Sequence, residues 1–514
     1  MEAKILWADD EIDLLKPHIL FLEQKGYEID TINNGAEAVE MAEKKHYDII
    51  FLDENMPGLN GLETLAQIKQ KNQSVPVIMI TKSEEEYIME EAIGGQISDY
   101  LIKPVNPNQI LLSLKKNLLK KDLVSQKTTH DYQVEFRQIG MRINDRLDVD
   151  EWADIYKKLV RWEIKLEESN DESMKEIFAM QKKDANTQFC RFVDNNYQDW
   201  VNGDEDAPLM SHQLLKERVF DSVGKEPVFL IVIDNLRYDQ WAVLKPLISE
   251  FFNVDKEELF YSILPTATQY ARNAIFSGMM PIDIAKKHPD LWKNENDEGG
   301  KNMHEAELLR ANLKRNGKQV KMSYNKVVKL DFAKRLVDKF NDLLQNDLNV
   351  IVYNFVDILS HARTEMDVIK ELADDEAAYR SLTKSWFNHS PLRDIFKKIA
   401  EKGIKTFLTT DHGTIRVDSP VKIVGDKNTN TNLRYKVGRN LSFKEKDVIV
   451  SSNPEDIKLP KENVSSYFVF AKENDFFAYP NNFNHYAKYY KDTFQHGGVS
   501  MEEVLIPAIS PIPR

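Results

Sequence analysis

The sequence predicts an α/β protein in which two α/β domains flank a helical segment. Three observations carry this. Short apolar runs alternate with helical periods over residues 1–121. The strand signal vanishes over 122–220. Apolar, β-branched runs that each end in Asp return after residue 221. Alternating strands and helices predict a sheet covered by helices on both faces.

In the first region KILWA (4–8), DIIFLD (48–53), PVIMIT (76–81) and DYLIKP (99–104) read as strands. EIDLLKPHILFLEQKG and NGLETLAQIKQ read as helices between them. The result is an open, doubly wound parallel sheet, whose ligands gather at the carboxyl ends of the strands. In the middle region, DEWADIYKKLVRWEIKLEE puts Trp152, Ile155, Tyr156, Leu159 and Trp162 at spacings of three and four. That is one stripe of an amphipathic helix, read as packing between helices of a bundle. ESMKEIFAMQKKDANTQFCRFVDNNYQDWV reads as a second helix, and NGDEDAP (202–208) as a turn before HQLLKERVFDSV. In the last region PVFLIVIDNL, LNVIVYNFVD and IKTFLTTDHG predict a second parallel sheet. Two polar stretches, 281–326 and 416–495, read as loops or a cap above its edge.

The chain has 514 residues, enough for two to four domains, with 42% hydrophobic and 30% charged residues. A net charge of -14 argues against a broad basic surface for nucleic acid. The single cysteine, Cys190, excludes a disulfide framework and a cysteine zinc site, and reads as a half-buried structural thiol. MEAKILWADDE reaches acidic residues too early for a signal peptide, and no apolar run spans a membrane. The chain is expected in the cytoplasm, with no membrane insertion.

At the first sheet edge, Asp9 and Asp10 end one strand and Asp53 another, with Thr81 and Lys103 at neighbouring strand ends. Converging carboxylates repel unless a cation holds them, and Mg²⁺ suits oxygen ligands and an incoming phosphate. This set, with FLDENMPG and SDYLIKP, resembles the receiver domain of two-component response regulators across 1–121. The resemblance implies that Asp53 accepts a phosphoryl group from a sensor histidine kinase. It further implies that Asp9, Asp10, Asp53 and the carbonyl of Asn55 bind Mg²⁺, and that Thr81 and Lys103 sense the phosphate. Tyr100 stands where such receivers keep a switch aromatic.

The second edge collects more. Asp234 ends its strand, Thr268 opens a helix in LPTATQYAR, and Asp357 and His361 stand four apart. Asp411 and His412 follow TFLTT, and His496 lies in FQHGGVSMEE. A bland reading of TTDHGT is available: Asp and His are tolerated in turns, and Gly413 supplies a positive φ. The full set instead points to metal. Zinc takes imidazole and carboxylate, and this many groups suit two ions. The constellation resembles the alkaline phosphatase superfamily, its PglZ-type members most closely, over 221–514. That resemblance implies two Zn²⁺ per chain, one held by Asp234, Thr268, Asp411 and His412, the other by Asp357, His361 and His496. It makes Thr268 the nucleophile, in preference to Thr266. His288, His304, His389 and His485 fall outside the motifs. Arg237, Arg272 and Asn235 read either as phosphate contacts or, for the arginines, as surface ion pairs. In NTNTNLRYKVGRN, Arg434, Lys436, Arg439 and Tyr435 read as a nucleic acid contact or a solvated loop.

Receiver (1–121), helical middle (122–220) and effector (221–514) in that order resemble PorX-type response regulators. The resemblance implies control of a protein secretion system. One reading is a phosphorylation-controlled zinc phosphodiesterase acting on oligonucleotides or cyclic nucleotides, which dimerises when phosphorylated. The alternative is a zinc-stabilised binding module acting through a sigma factor or secretion machinery.

Overall fold

The computed structural model describes residues 3–72, 75–82, 97–167, 172–365, 375–425, 429–461, 463 and 465–514. The chain divides into two compact units, Met1–Asp131 and Tyr132–Arg514. In the first, β1 (Lys4–Ala8), β2 (Glu28–Ile32), β3 (Ile49–Asp53), β4 (Val77–Thr81) and β5 (Asp99–Ile102) form one sheet in the order β2-β1-β3-β4-β5. Every pairing is parallel. The strands β3 and β4 are buried throughout, as apolar strands covered on both faces must be. The edge strand β2, EIDTI, is only partly buried and so carries no continuous apolar run.

In the second unit a six-stranded sheet holds β6 (Val228–Ile233), β7 (Phe252–Tyr261), β8 (Met322–Val327), β9 (Leu348–Tyr353), β10 (Lys405–Thr409) and the C-terminal strand Leu505–Pro513. Its order is β7, the C-terminal strand, β10, β6, β9, β8. The pairings from β10 to β8 are parallel. The expectation of a wholly parallel sheet needs correction, because the C-terminal strand runs antiparallel to both β10 and β7. The segment 281–326 is likewise more than a loop: it holds the helices Pro281–Lys287 and Glu305–Arg315 and the edge strand β8. The segment 416–495 folds into small sheets of its own, one pairing the strand Tyr435–Gly438 with Tyr467–Phe470.

The middle segment also departs from expectation. The predicted helices are Val149–Glu167 and Glu172–Val201, and the first carries the predicted stripe: Trp152, Ile155, Tyr156, Leu159 and Trp162 are all buried. They do not form a core of their own. One continuous apolar cluster runs from Tyr132 through these helices into the six-stranded sheet as far as Ile509. Cys190 is fully rather than half buried, its thiol facing the Val499 carbonyl at 3.1 Å, and burial pushes its pKa up. Among the described residues, no helix is long and apolar enough to cross a membrane.

Gly413 shows how tightly the sheet edge is built. Its φ is not positive; a Cβ there would sit 2.1 Å from the Glu502 carbonyl oxygen. Close approach of two backbones, not turn geometry, requires glycine. Gly413→Ala is therefore expected to lower stability by about 1–3 kcal/mol, the usual cost of overpacking a core. Urea denaturation measures it, and an unchanged midpoint would contradict this account.

Candidate functional site

The first site forms where β1, β3, β4 and β5 end. Asp9 and Asp53 are buried and Asp10 exposed, and carboxylate oxygens of the three lie within 4.8 Å of one another. Lys103 Nζ reaches Asp9 at 2.9 Å and Asp53 at 2.8 Å. Burial pushes the Asp53 carboxyl up, while Lys103 pulls it down. The donor set is all oxygen with one ammonium, a fit for Mg²⁺ and a phosphoryl group. Thr81 donates to Glu54. Tyr100 is 41% exposed on β5, and Asn55 is exposed two residues beyond Asp53.

The second site forms at the carboxyl ends of β6, β9 and β10. Each central strand is an apolar run, so its first polar residues emerge together at one edge. Two ligand-like groups result: Asp234, Asp411 and His412, all buried, and Asp357, His361 and His496. The groups adjoin, since the His412 and His496 rings stack at 4.3 Å. His361 Nε2 lies 3.5 Å and His496 Nε2 4.0 Å from Asp357 Oδ1. Thr268 is the first residue of the helix Thr268–Ser277, and its Oγ1 lies 3.0 Å from His412 Nε2. Thr266 is engaged elsewhere, donating to the Gly498 carbonyl and accepting from the Gly497 amide.

The donor atoms fit metal. Among the described residues, Asp234 Oδ1 and Asp411 Oδ2 are buried with no hydrogen-bond donor, and Arg272 Nη1 comes no closer than 3.7 Å to the latter, so a metal ion would satisfy two oxygens that the protein leaves unbonded. His412 Nδ1 faces the Gly413 carbonyl at 3.2 Å, and His496 Nδ1 the Thr266 carbonyl at 3.2 Å. A ring N–H given to a carbonyl leaves each Nε2 lone pair for a metal. Burial pushes the Asp234 carboxyl up to about 8, opposed by Arg272, and pushes His496 down to about 3. Among the described residues, His288, His304, His389 and His485 join no such group.

The arginines are not the surface ion pairs of one expectation. Arg272 is buried, with Nη1 on Asp234 Oδ2 at 2.5 Å and Nε on Glu305 Oε1 at 2.5 Å. Arg237 is buried between Asp239 and Glu376. Neither is a surface ion pair: both grip buried carboxylates, while Arg237 Nη1 is buried without a hydrogen-bond partner among the described residues. The basic stretch is corrected too. Arg434 is fully buried and grips Glu503 at 2.6 Å, and Glu503 also accepts from the Gly498 amide, bracing the His496 loop. Lys436 is buried and donates to the Asn430 carbonyl; Tyr435 is buried and donates to Glu295. Only Arg439 of this set is exposed, bound to Asn463. Asp426, Lys427 and Asn428 lie outside the described residues.

Sequence reasoning passed over Asn354, which donates to Asp234 Oδ2 at 2.8 Å, and Ser360, Glu305 and Tyr324. Asn354 could have been found, for it directly follows an apolar strand. Glu305 sits in a polar stretch with no such signal. Over the site lies a cleft of about 750 Å³ lined by His361, His496, Asn430, Asn432, Tyr435 and Tyr489, among others.

Comparisons with known proteins agree with this architecture. A response regulator receiver domain family matches residues 5–115 and a PorX response regulator linker domain family matches 122–201. The BREX system PglZ alkaline phosphatase-like domain family matches 214–510, more than half of the chain. Fold and sites thus define a response regulator with an alkaline phosphatase-like effector domain. The chain belongs to the PglZ alkaline phosphatase-like family, in the PorX-type arrangement of receiver, linker and PglZ domain.

The transcriptional regulatory protein ResD of Bacillus subtilis (strain 168) is 37% identical over 114 residues, 22% of this chain and 47% of that protein. The alkaline phosphatase synthesis transcriptional regulatory protein PhoP of the same organism is 32% identical over 127 residues, 24% of this chain and 52% of that protein. The chain spans about half the length of these curated relatives. Among solved structures, the Vibrio cholerae chemotaxis protein CheY4 is 30% identical over 23% of this chain and all of that one, with a TM-score of 0.22. The receiver domain of the Pseudomonas aeruginosa PAO1 sensor histidine kinase PA1611, solved with magnesium in its active site cleft, is 25% identical over 23% of this chain and 98% of that one, with a TM-score of 0.22.

Proposed function

We propose that the effector domain is a zinc-dependent phosphodiesterase with Thr268 as nucleophile, controlled by phosphorylation of Asp53. The observation that carries the reading is Thr268 Oγ1 at a helix N-terminus, 3.0 Å from His412 and beside two adjoining ligand groups. Asp234, Thr268, Asp411 and His412 would hold one zinc; Asp357, His361 and His496 would hold the other. Zinc in these places supplies a lowered hydroxyl pKa and neutralises charge on the leaving oxygen.

The chain's own groups do the rest. The helix that Thr268 opens directs its free backbone N–H groups toward an anion, favouring a phosphate there. Oγ1 loses its proton and forms a bond to phosphorus as the bond to the leaving alcohol breaks, and the alcohol oxygen takes up a proton in exchange. Water then cleaves the phosphothreonine ester and restores the hydroxyl. The reading extends to a nucleotide substrate, an oligonucleotide or cyclic nucleotide: the cleft beside His361 and His496 is also lined by Tyr489, whose ring suits stacking on a base. A comparison of bis-p-nitrophenyl phosphate with p-nitrophenyl phosphate tests the class. The diester is expected to be cleaved faster; turnover of neither would defeat the proposal.

In the receiver, Mg²⁺ at Asp9, Asp10, Asp53 and the Asn55 carbonyl would neutralise the phosphoryl oxygens, with Lys103 and Thr81 contacting them. A sensor histidine kinase would supply the phosphate, and the output would regulate a protein secretion system. Phosphorylation adds charge that can repack a receiver face. Beryllofluoride is therefore expected to convert monomer to dimer in light scattering, and Asp53→Asn to stay monomeric. An unchanged mass for the beryllofluoride-treated wild type would reject this.

A further inference from the structure

We propose that Asn235 is a positioning residue that joins the two candidate metal sites, its side-chain amide setting the affinity of the site built on Asp357. This rests on the two-zinc reading above and deepens it.

Asn235 directly follows Asp234, is fully buried, and holds a left-handed backbone with φ 65. It hydrogen-bonds to a carboxylate of each group. Its backbone N–H donates to Asp411 Oδ1 at 3.2 Å. Its side-chain Nδ2 donates to Asp357 Oδ1 at 3.4 Å and to Ser360 Oγ at 3.2 Å. Ser360 Oγ in turn donates to the Asp357 carbonyl at 2.7 Å. Asp357 Oδ1 is the same oxygen that faces His361 and His496. The amide therefore orients the atom around which the second group is assembled. The reversed amide would set oxygen against carboxylate oxygen, so the donor end must face Asp357.

The choice of residue points the same way. Glycine enters the left-handed region without cost, and asparagine is the side chain that tolerates it best. Glycine would keep the turn and the N–H on Asp411. What asparagine adds is the amide, whose nitrogen, among the described residues, reaches the second group and Ser360, while its oxygen is buried without a donor. Partners that orient a metal ligand typically govern affinity by about 10–100-fold.

Zinc titration of the full-length protein against a chromophoric chelator tests this. Wild type is expected to show two binding steps, and Asp357→Asn, which lacks the second group's carboxylate, identifies the step that belongs to it. Asn235→Gly should weaken that step about 10–100-fold and leave the other unchanged. Ser360→Ala, which removes the amide's other contact, should weaken the same step and add little to Asn235→Gly, because coupled residues are not additive. In the Asp357→Asn background, Asn235→Gly should change nothing further. If wild type takes up two zincs and Asn235→Gly matches it, the inference falls and the metal sites stand. An equal loss of both steps would assign Asn235 a general structural role and overturn it. No zinc uptake by wild type would overturn the metal reading and this inference together.

Discussion

Thr268→Ala is expected to cut phosphodiester hydrolysis by about 10³-fold or more while the protein stays folded, because loss of a nucleophile removes the covalent route altogether. Oγ1 is the hydroxyl that faces His412 and both ligand groups. Thr266 cannot take over: its hydroxyl is committed to Gly498 and Gly497 in the neighbouring loop. The fold should tolerate the change. Thr268 is half-buried at the first position of its helix, where alanine is a good helix former and no core side chain is lost. Thr268→Ser keeps the oxygen and should keep most of the rate. Steady-state kinetics with circular dichroism measures both. Wild-type activity in Thr268→Ala would remove the nucleophile from the mechanism. Normal signalling in cells by a hydrolytically dead Thr268→Ala protein would favour a zinc-stabilised binding module as the effector's output.

Arg272→Met should lower stability by about 3–5 kcal/mol, the cost of leaving buried charge uncompensated. The guanidinium lies between Asp234 and Glu305 and is 1% exposed. Further contacts hold Glu305 in place: Tyr324 donates to it, and Lys326 lies 3.7 Å from the same carboxylate. Without the arginine, Asp234 loses its buried cation and Glu305 keeps only the more distant Lys326. Burial pushes the Asp234 carboxyl up and Arg272 opposes that rise, so loss of the arginine should favour protonation, and a protonated carboxyl is a poor metal ligand. Arg272→Lys should recover only part of the loss, because one ammonium cannot reproduce the fork that grips both carboxylates. Chemical denaturation of the metal-free protein checks the magnitude. A midpoint within experimental error of wild type would show that the pair carries no net stabilisation.

The legible part of this molecule was its central strands and the residues at their ends. Strands buried on both faces are written as largely apolar runs, so β3, β6, β9 and β10 announce themselves, and Asp53, Asp234 and Asp411 stand out as the acids at or just past their carboxyl ends. Edges are written differently. β8, MSYNKV, is half-buried with a polar sequence, and β7, FNVDKEELFY, places acids along the strand that pairs the C-terminal segment. That segment, LIPAISPIP, carries prolines that argue against a strand, yet it forms the antiparallel hinge between β7 and β10. Direction of pairing leaves no local mark.

Buried charge was the least legible feature. Arg434 lies 69 residues from Glu503, and nothing near it in sequence distinguishes a buried fork from a solvated arginine. The same holds for Arg272 and Glu305, 33 residues apart. Gly413 illustrates the converse case, in which the residue was noticed and its reason lay in the Glu502 carbonyl from a distant element. Asn235 was noticed for its nearness to Asp234, but its contact with Asp357 spans 122 residues.

Elemental analysis of the purified full-length protein tests the two-metal site most directly. The account predicts two zinc ions per chain, one for each ligand group, with Asp357→Asn losing one of them. Wild-type protein purified without chelators and refilled with zinc that still retained none would contradict it.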